Sequence, residues 1–151
     1  MEISKYALAI MLSCGVVPAS LACSYDGQFS NPFAESYEGA LDVAIATQQA
    51  INEQSLHPTT IAVGKQGLRQ VSWWLTVWTK QGPVQPDTFV YLVDSQLWSH
   101  FTSDSQMQIH SDAPTAKDSR VVMLSEAALD NLVKDNVSFD RALSLGIVSV
   151  R

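Results

Sequence analysis

The chain contains little cysteine. Two cysteines, Cys14 and Cys23, are present among 151 residues, so at most one disulfide could form. A small fold held together by several disulfides is therefore excluded. The stability of the domain must come instead from the packing of apolar side chains, which are well represented at 46% of the residues.

The chain is also poor in positive charge. Lysine and arginine total 9 against 15 aspartate and glutamate residues, which gives a net charge of −6. Binding to nucleic acid depends on clustered cations that neutralise phosphates, and the sequence lacks such clusters. We therefore expect no nucleic-acid partner.

Motifs of the common enzyme classes are missing as well. There is no GxSxG, no HExxH, no glycine-rich phosphate loop and no CxxC. The local signals for serine hydrolases, zinc proteases, nucleotide-binding proteins and dithiol oxidoreductases are therefore absent. The sequence names no catalytic residue and no cofactor. It favours a non-enzymatic function, and an enzyme with an unrecognised site is the remaining alternative.

The first 22 residues have the organisation of an export signal. Lys5 supplies a short positive region, residues 6–17 form an apolar stretch, and small residues precede Ala22. The apolar stretch is shorter than the roughly 20 residues that a membrane-spanning helix needs. We expect cleavage after Ala22 and an exported protein, which would be periplasmic in a Gram-negative host.

Cleavage after Ala22 would remove Cys14 and leave Cys23 as the first residue and the only thiol. A lipid on Cys23 is one interpretation, because the segment resembles a lipobox. A lipobox normally has leucine three residues before the cysteine, whereas this chain has Ser20 there and its leucine at position 21. A free thiol and a metal or redox ligand are the alternatives. Contact with a membrane is expected only if Cys23 carries a lipid.

The remainder has the length of one ordinary domain, and no second domain is expected. Residues 23–37 predict an N-terminal arm, because they combine turn residues with the aromatic side chains of Phe29, Phe33 and Tyr37. Three aromatic residues favour packing on the body of the protein over a free linker. Residues 38–151 predict a single domain.

The periods of the apolar residues predict an α+β fold. We expect one small antiparallel or mixed sheet of about four or five strands, covered by about four helices. Helices are predicted over residues 38–54 and 65–81, from the cap Ser125 to Lys134, and over 139–145 after the cap Ser138. Strands are predicted over residues 88–94, 97–102, 106–110, 119–124 and 147–150.

Three of the four tryptophans lie in the segment 65–81. At 100° per residue, Trp74 and Trp78 fall on the apolar face of a helix, whereas Trp73 projects to the opposite side. A strand, which is the alternative, would place Trp73 among the apolar residues of one face. The indoles either fill the core or form a binding surface. We therefore take Trp73, Trp74, Trp78 and Trp98 as candidate residues for binding an apolar ligand or a protein partner.

Two histidines are candidates for a metal site. In a hairpin that turns about Asp104, His100 faces Gln108, which places His100 and His110 as diagonal neighbours about 7 Å apart. The thiolate of Cys23 could complete a set of soft and borderline ligands. Outward-facing polar residues on a half-exposed hairpin are the simpler explanation of both histidines.

Residues 89–150 resemble the C-terminal half of the sterol-carrier-protein-like lipid-binding domains. The resemblance rests on a strand followed by a helix, a short helix, a glycine and a closing strand, and on Leu129, Leu132, Val133, Ala142, Leu143 and Gly146. It implies helices that cover one face of a sheet and enclose an apolar tunnel. The N-terminal half departs from that pattern, because it does not supply the long strands with which such domains begin.

The sequence therefore predicts an exported, non-enzymatic binding or accessory protein. Its expected partner is an apolar small molecule or another exported protein. The alternative is an accessory factor for a metal or redox centre that uses Cys23, His100 and His110.

Overall fold

The computed structural model describes residues 23–26 and 37–151. The predicted signal, residues 1–22, and the aromatic residues Phe29 and Phe33 lie outside the described residues. A 3-10 turn (Ser24–Asp26) is followed by helices and strands in this order: α1 (Ala40–Asn52), α2 (Gly64–Lys80), β1 (Thr88–Leu92), β2 (Leu97–Phe101), β3 (Met107–Ile109), β4 (Arg120–Leu124), α3 (Glu126–Val133), α4 (Phe139–Ser144) and β5 (Val148–Val150).

The five strands form one mixed sheet in the order β3-β2-β1-β4-β5. Strands β1 and β4 run parallel, and the other three neighbouring pairs are antiparallel. The α+β prediction is confirmed. Strand β1 is central because its sequence, TFVYL, is nearly all apolar and can be buried on both faces.

The helices divide between the two faces of the sheet. Helices α2, α3 and α4 contribute apolar residues to the larger core, together with Val90 and Leu92 of β1. The first half of α1 packs on the opposite face, where Val43 joins Tyr91 in a smaller cluster. The alternation of a strand explains this arrangement, since successive side chains of β1 point to opposite faces.

The segment predicted over 65–81 is a helix, so the alternative strand is wrong. Helix α2 begins with a close backbone approach at Gly67, where a Cβ atom would lie 1.8 Å from the carbonyl oxygen of Ala62. Farther along the chain, the predicted caps are confirmed. The hydroxyls of Ser125 and Ser138 accept hydrogen bonds from the backbone N–H groups of Ala128 and Arg141, at 3.0 and 3.2 Å.

The described parts of the predicted arm lie against the body. Cys23 and Tyr25 are buried in the larger core, and the ring of Tyr37 packs edge-on against Trp98 with 5.0 Å between the ring centres. The N–H of Ser24 donates to the carbonyl oxygen of Ser95 at 2.9 Å. Within residues 23–26 and 37–151, no helix is long and apolar enough to cross a membrane.

Candidate functional site

The four tryptophans do not share a surface. Trp74, Trp78 and Trp98 are 5%, 1% and 6% exposed, and they belong to the core. Trp73 is 60% exposed, on the opposite side of α2. Trp74, Trp78 and Trp98 therefore form no exposed tryptophan surface, because the packing of α2 and β2 turns them inward, although Trp78 still borders a cleft. A binding role for Trp73 stays a prediction.

The sheet separates His100 from Cys23, which is another of the three proposed metal ligands. His100 stacks on Phe89, with ring centres 4.2 Å apart, and its Nε2 lies 3.0 Å from an oxygen of Asp87. Phe89 packs on the smaller cluster, whereas Cys23 belongs to the larger core on the other face. Across the described part of the chain, no group of three or more His, Cys, Asp or Glu side chains is placed to hold a metal ion. The prediction of one site with all three ligands is therefore wrong.

Cys23 and His110 do meet, although 87 residues separate them. The predicted register is confirmed, with His100 opposite Gln108. Strand β3 ends at Ile109, and His110 has a left-handed backbone with φ of 62°. Its Nε2 lies 3.5 Å from the Sγ of Cys23. Since Cys23 is buried, attachment of a lipid to Sγ would require this residue to leave its position.

An apolar groove lies where α4 meets the end of α2 and the sheet. It consists of two adjoining clefts that share Pro83 and Phe139. The cleft of about 380 Å³ is bounded by Trp78, Leu132 and Val137 among others. The cleft of about 230 Å³ is bounded by Val84, Thr88, Arg120, Val122 and Val150 among others.

Two polar atoms at this groove lack partners. The Nε1 of Trp78 and the Oγ1 of Thr88 are fully buried and find no hydrogen-bond partner among the described residues. Buried polar groups are nearly always hydrogen-bonded, and leaving one unpaired costs roughly 1–3 kcal/mol. Both residues line the groove, at α2 and at the start of β1 respectively. Two residues of the groove wall therefore carry buried donors that nothing in the described protein uses.

A second polar site lies at the other end of the sheet. Asp94 follows β1 by two residues, and Glu126 follows β4 by two residues. Because β1 and β4 are parallel neighbours, their carboxyl ends lie at one edge, where ligands commonly bind in sheets of this type. The N–H of Glu126 donates to Asp94 Oδ2 at 2.6 Å, and the hydroxyl of Tyr25 donates to Glu126 Oε1 at 2.5 Å.

Burial dominates the electrostatics of this acidic site. It raises the pKa of Glu126 from 4.5 to about 7; the hydrogen bond from Tyr25 opposes the shift, and the charge of Asp94 adds to it. Burial also raises the pKa of Asp94, and the N–H of Glu126 opposes that shift. The pKa of Tyr25 is raised by burial and by the charge of Glu126. Protons are therefore held on this site at pH values where exposed carboxyls have lost them.

The acidic site opens into a cleft of about 460 Å³. The cleft lies beside α1 and the loop before α2, and Thr47, Gln48 and Thr59 supply uncharged polar groups to its wall. Among the described residues, only Asp94 and Glu126 bring titratable groups to this wall. A carboxyl with a pKa near 7 can donate or accept a proton near neutral pH.

The sequence analysis did not identify Thr88, Phe139, Asp94 or Glu126. A signal was present for the two acids, since Asp94 ends one predicted strand and Glu126 lies two residues after another. The sequence does not show that these two strands are parallel neighbours, so this signal could not place the two acids together. Comparisons with family models, curated proteins and solved structures return no match for this chain.

Proposed function

We propose that the protein binds an amphiphilic small molecule in the groove at Phe139. The pair of unpartnered buried donors, Trp78 Nε1 and Thr88 Oγ1, carries this proposal. Binding would require the wall to shift and uncover these atoms, one in each cleft. A ligand with hydrogen-bond acceptors would then pair with them, and its apolar part would lie along Phe139 and Pro83. The cost of the unpaired donors in the empty protein would then contribute to the affinity.

The chemistry of the wall supports a ligand with an apolar chain. Pro83, Leu132, Val137 and Phe139 present carbon to the groove. The volume of the larger cleft, about 380 Å³, lies within the range of about 300–1,000 Å³ of small-molecule sites. A groove of this kind stabilises a ligand mainly through the burial of apolar area.

The polar rim of the smaller cleft supports an acceptor head that carries negative charge, whereas Asp135 borders the larger cleft. Arg120 lines the smaller cleft beside Thr88, and its guanidinium donates to the side-chain oxygen of Gln85. A guanidinium keeps its charge at any physiological pH and pairs well with carboxylates and phosphates. A fatty acid is the simplest compound that combines such a head with an apolar chain.

This function agrees with the apolar tunnel that the resemblance to sterol-carrier-like domains implies, and the groove supports it independently. Export through residues 1–22 belongs to the proposal. Intact mass of the protein from a fractionated host would test export, because it reports the first residue and any lipid on Cys23. Retention of residues 1–22 in the cytoplasm would contradict it.

Binding is tested with a dansyl-labelled fatty acid, whose emission rises on transfer into an apolar site. We expect saturable binding to the exported protein and about a tenfold loss of affinity in Phe139→Ala, since that change removes the shared wall of both clefts. Leu143→Ala is the matched control, because Leu143 lies on the same helix and is partly exposed. Absence of saturable binding, or equal losses in the two variants, would contradict the proposal.

A further inference from the structure

Helix α2 of this acidic protein carries positive charge alone. Helix α2 carries three cations, Lys65, Arg69 and Lys80, and contains no aspartate or glutamate. The chain as a whole has a net charge of −6. These three cations are separated in the linear sequence, and the period of the helix brings them to one side.

The three cations and Trp73 lie on one stripe. At 100° per residue they fall within an arc of about 80°, and all four residues are exposed. The stripe extends over about 22 Å along the axis, given the rise of 1.5 Å per residue. Among the described residues no ion pair engages Lys65, Arg69 or Lys80. The cations therefore remain available to an external anion.

We propose that this stripe docks the protein on an anionic lipid surface. The three cations would contact the headgroups, and the indole of Trp73 would enter the interface between the headgroups and the acyl chains. Charge complementarity supports this occupant, because the stripe is cationic on a helix without acidic residues, whereas the headgroups are anionic. The sequence alone indicated a membrane contact only through a lipid on Cys23.

Two features favour a lipid surface over an acidic protein. The stripe is straight and extended, which suits contact with a flat layer of charge. Trp73 is the exposed large apolar residue of the stripe, and tryptophan is enriched at membrane interfaces because its ring is apolar and its N–H is polar. A specific protein interface would instead surround its central aromatic residue with a pocketed apolar core.

The position of α2 links the stripe to the proposed groove without making one depend on the other. The helix ends at Lys80, and the next residues, Gln81, Gly82 and Pro83, line the groove. A protein docked through α2 would thus hold the groove near the lipid. Docking itself requires only the exposed side of α2, so it can be measured with the groove empty.

Binding is measured by co-sedimentation with vesicles of phosphatidylcholine, with and without phosphatidylglycerol. All samples are the exported protein with Cys23→Ser, which removes the lipid acceptor, and intact mass verifies that the N-termini are identical. We expect binding that requires phosphatidylglycerol and weakens with added salt. The variant with Lys65→Gln, Arg69→Gln and Lys80→Gln should bind about a hundredfold more weakly, because each cation near an anionic surface contributes about fivefold.

The matched control carries Lys117→Gln, Lys134→Gln and Arg141→Gln, which change the net charge equally at other positions. It should lose less than about tenfold, since these residues lie off the stripe. Trp73 supplies a second measurement. Its emission should shift to shorter wavelength on anionic vesicles, and Trp73→Phe should abolish that shift, because the other three indoles are already buried.

Four outcomes would overturn the proposal. They are no binding to anionic vesicles, equal binding to neutral vesicles, equal losses in the two triple variants, and a shift that persists in Trp73→Phe. Binding of polyglutamate through the same three cations, without vesicle binding, would assign the stripe to an acidic protein partner. Loss of fatty-acid binding in Phe139→Ala would leave docking unchanged, so failure of one proposal is distinguishable from failure of the other.

Discussion

The two ends of the parallel pair β1–β4 have opposite chemistry. At the start of the pair, Thr88 and Arg120 border an apolar groove that contains neutral donors without partners. At its end, Asp94 and Glu126 interact with each other and with Tyr25. The donors at the first end have no partner among the described residues, whereas the acidic end holds the N-terminal turn against the body. Buried polar groups of one sheet are thus left unpaired at one end and attach a neighbouring segment at the other.

The largest expected effect concerns the attachment at the acidic end. A methyl group in Gly67→Ala would lie 1.8 Å from the Ala62 carbonyl oxygen and 2.8 Å from the ring of Tyr25. We expect a loss of about 3 kcal/mol or more in the free energy of unfolding, because neither the loop nor the turn can move without losing contacts. Urea unfolding followed by circular dichroism measures it.

Gly64→Ala is the control for this prediction. Gly64 has a positive φ of 62°, but no atom lies within 4 Å of an added Cβ. Only the backbone strain of about 1 kcal/mol is then expected. Similar losses in the two variants would mean that the approach of the turn to α2 contributes little to stability.

An intermediate effect concerns pH. Glu126 has a folded pKa of about 7 against 4.5 when exposed, so the folded state binds the proton more tightly. The free energy of unfolding should therefore fall by up to about 3 kcal/mol as pH rises from about 4.5 to 7. Above that range it should be level. The facing titratable groups are Tyr25 and Asp94, and Asp94 acts in the same direction.

Glu126→Gln should remove most of this pH dependence, because the amide is neutral throughout. Tyr25→Phe should steepen it, since the hydroxyl of Tyr25 stabilises the carboxylate of Glu126. Thermal unfolding between pH 4 and 8 gives both results. If the stability of the wild-type protein is constant over that range, the carboxyl of Glu126 is exposed to solvent and the prediction is wrong.

The smallest expected effect on stability belongs to a substitution at Thr88, which tests the difference between the two ends of the β1–β4 pair most directly. Thr88→Val replaces a buried hydroxyl without a partner by a methyl group of similar shape. We expect the free energy of unfolding to rise by about 1 kcal/mol and the affinity for the labelled fatty acid to fall about tenfold. Denaturant unfolding and the dansyl titration measure the two changes.

Ser99→Ala is the matched control, because the Ser99 hydroxyl is equally buried and unpartnered on β2 but does not line the groove. It should leave the affinity unchanged. If Thr88→Val leaves the affinity unchanged as well, the Thr88 hydroxyl does not contact the ligand. The proposed difference in role between the two ends of the β1–β4 pair would then be wrong.

Local patterns predicted every helix and strand that the structure describes. The caps Ser125 and Ser138 could be recognised because a hydroxyl three residues before a free N–H acts within one turn. The same period that placed Trp74 and Trp78 on an apolar face also buried them, and of these two only Trp78 borders the groove. The prediction of a metal site with Cys23 and His100 was wrong, because the register of a hairpin does not show on which face of the sheet a distant residue packs.

The sequence by itself determined the orientation of each side chain about its own helix or strand. The 3.6-residue period turns Trp78 inward and Trp73 outward, and it gathers Lys65 and Arg69 on one stripe, because these positions depend only on neighbours a turn away. Only the tertiary structure decided which elements meet. The parallel pairing of β1 with β4 joins Asp94 to Glu126, and the fold brings Cys23 to His110. Such contacts depend on the packing free energy of the whole domain. The sequence of a single segment does not show which distant segment it will pack against.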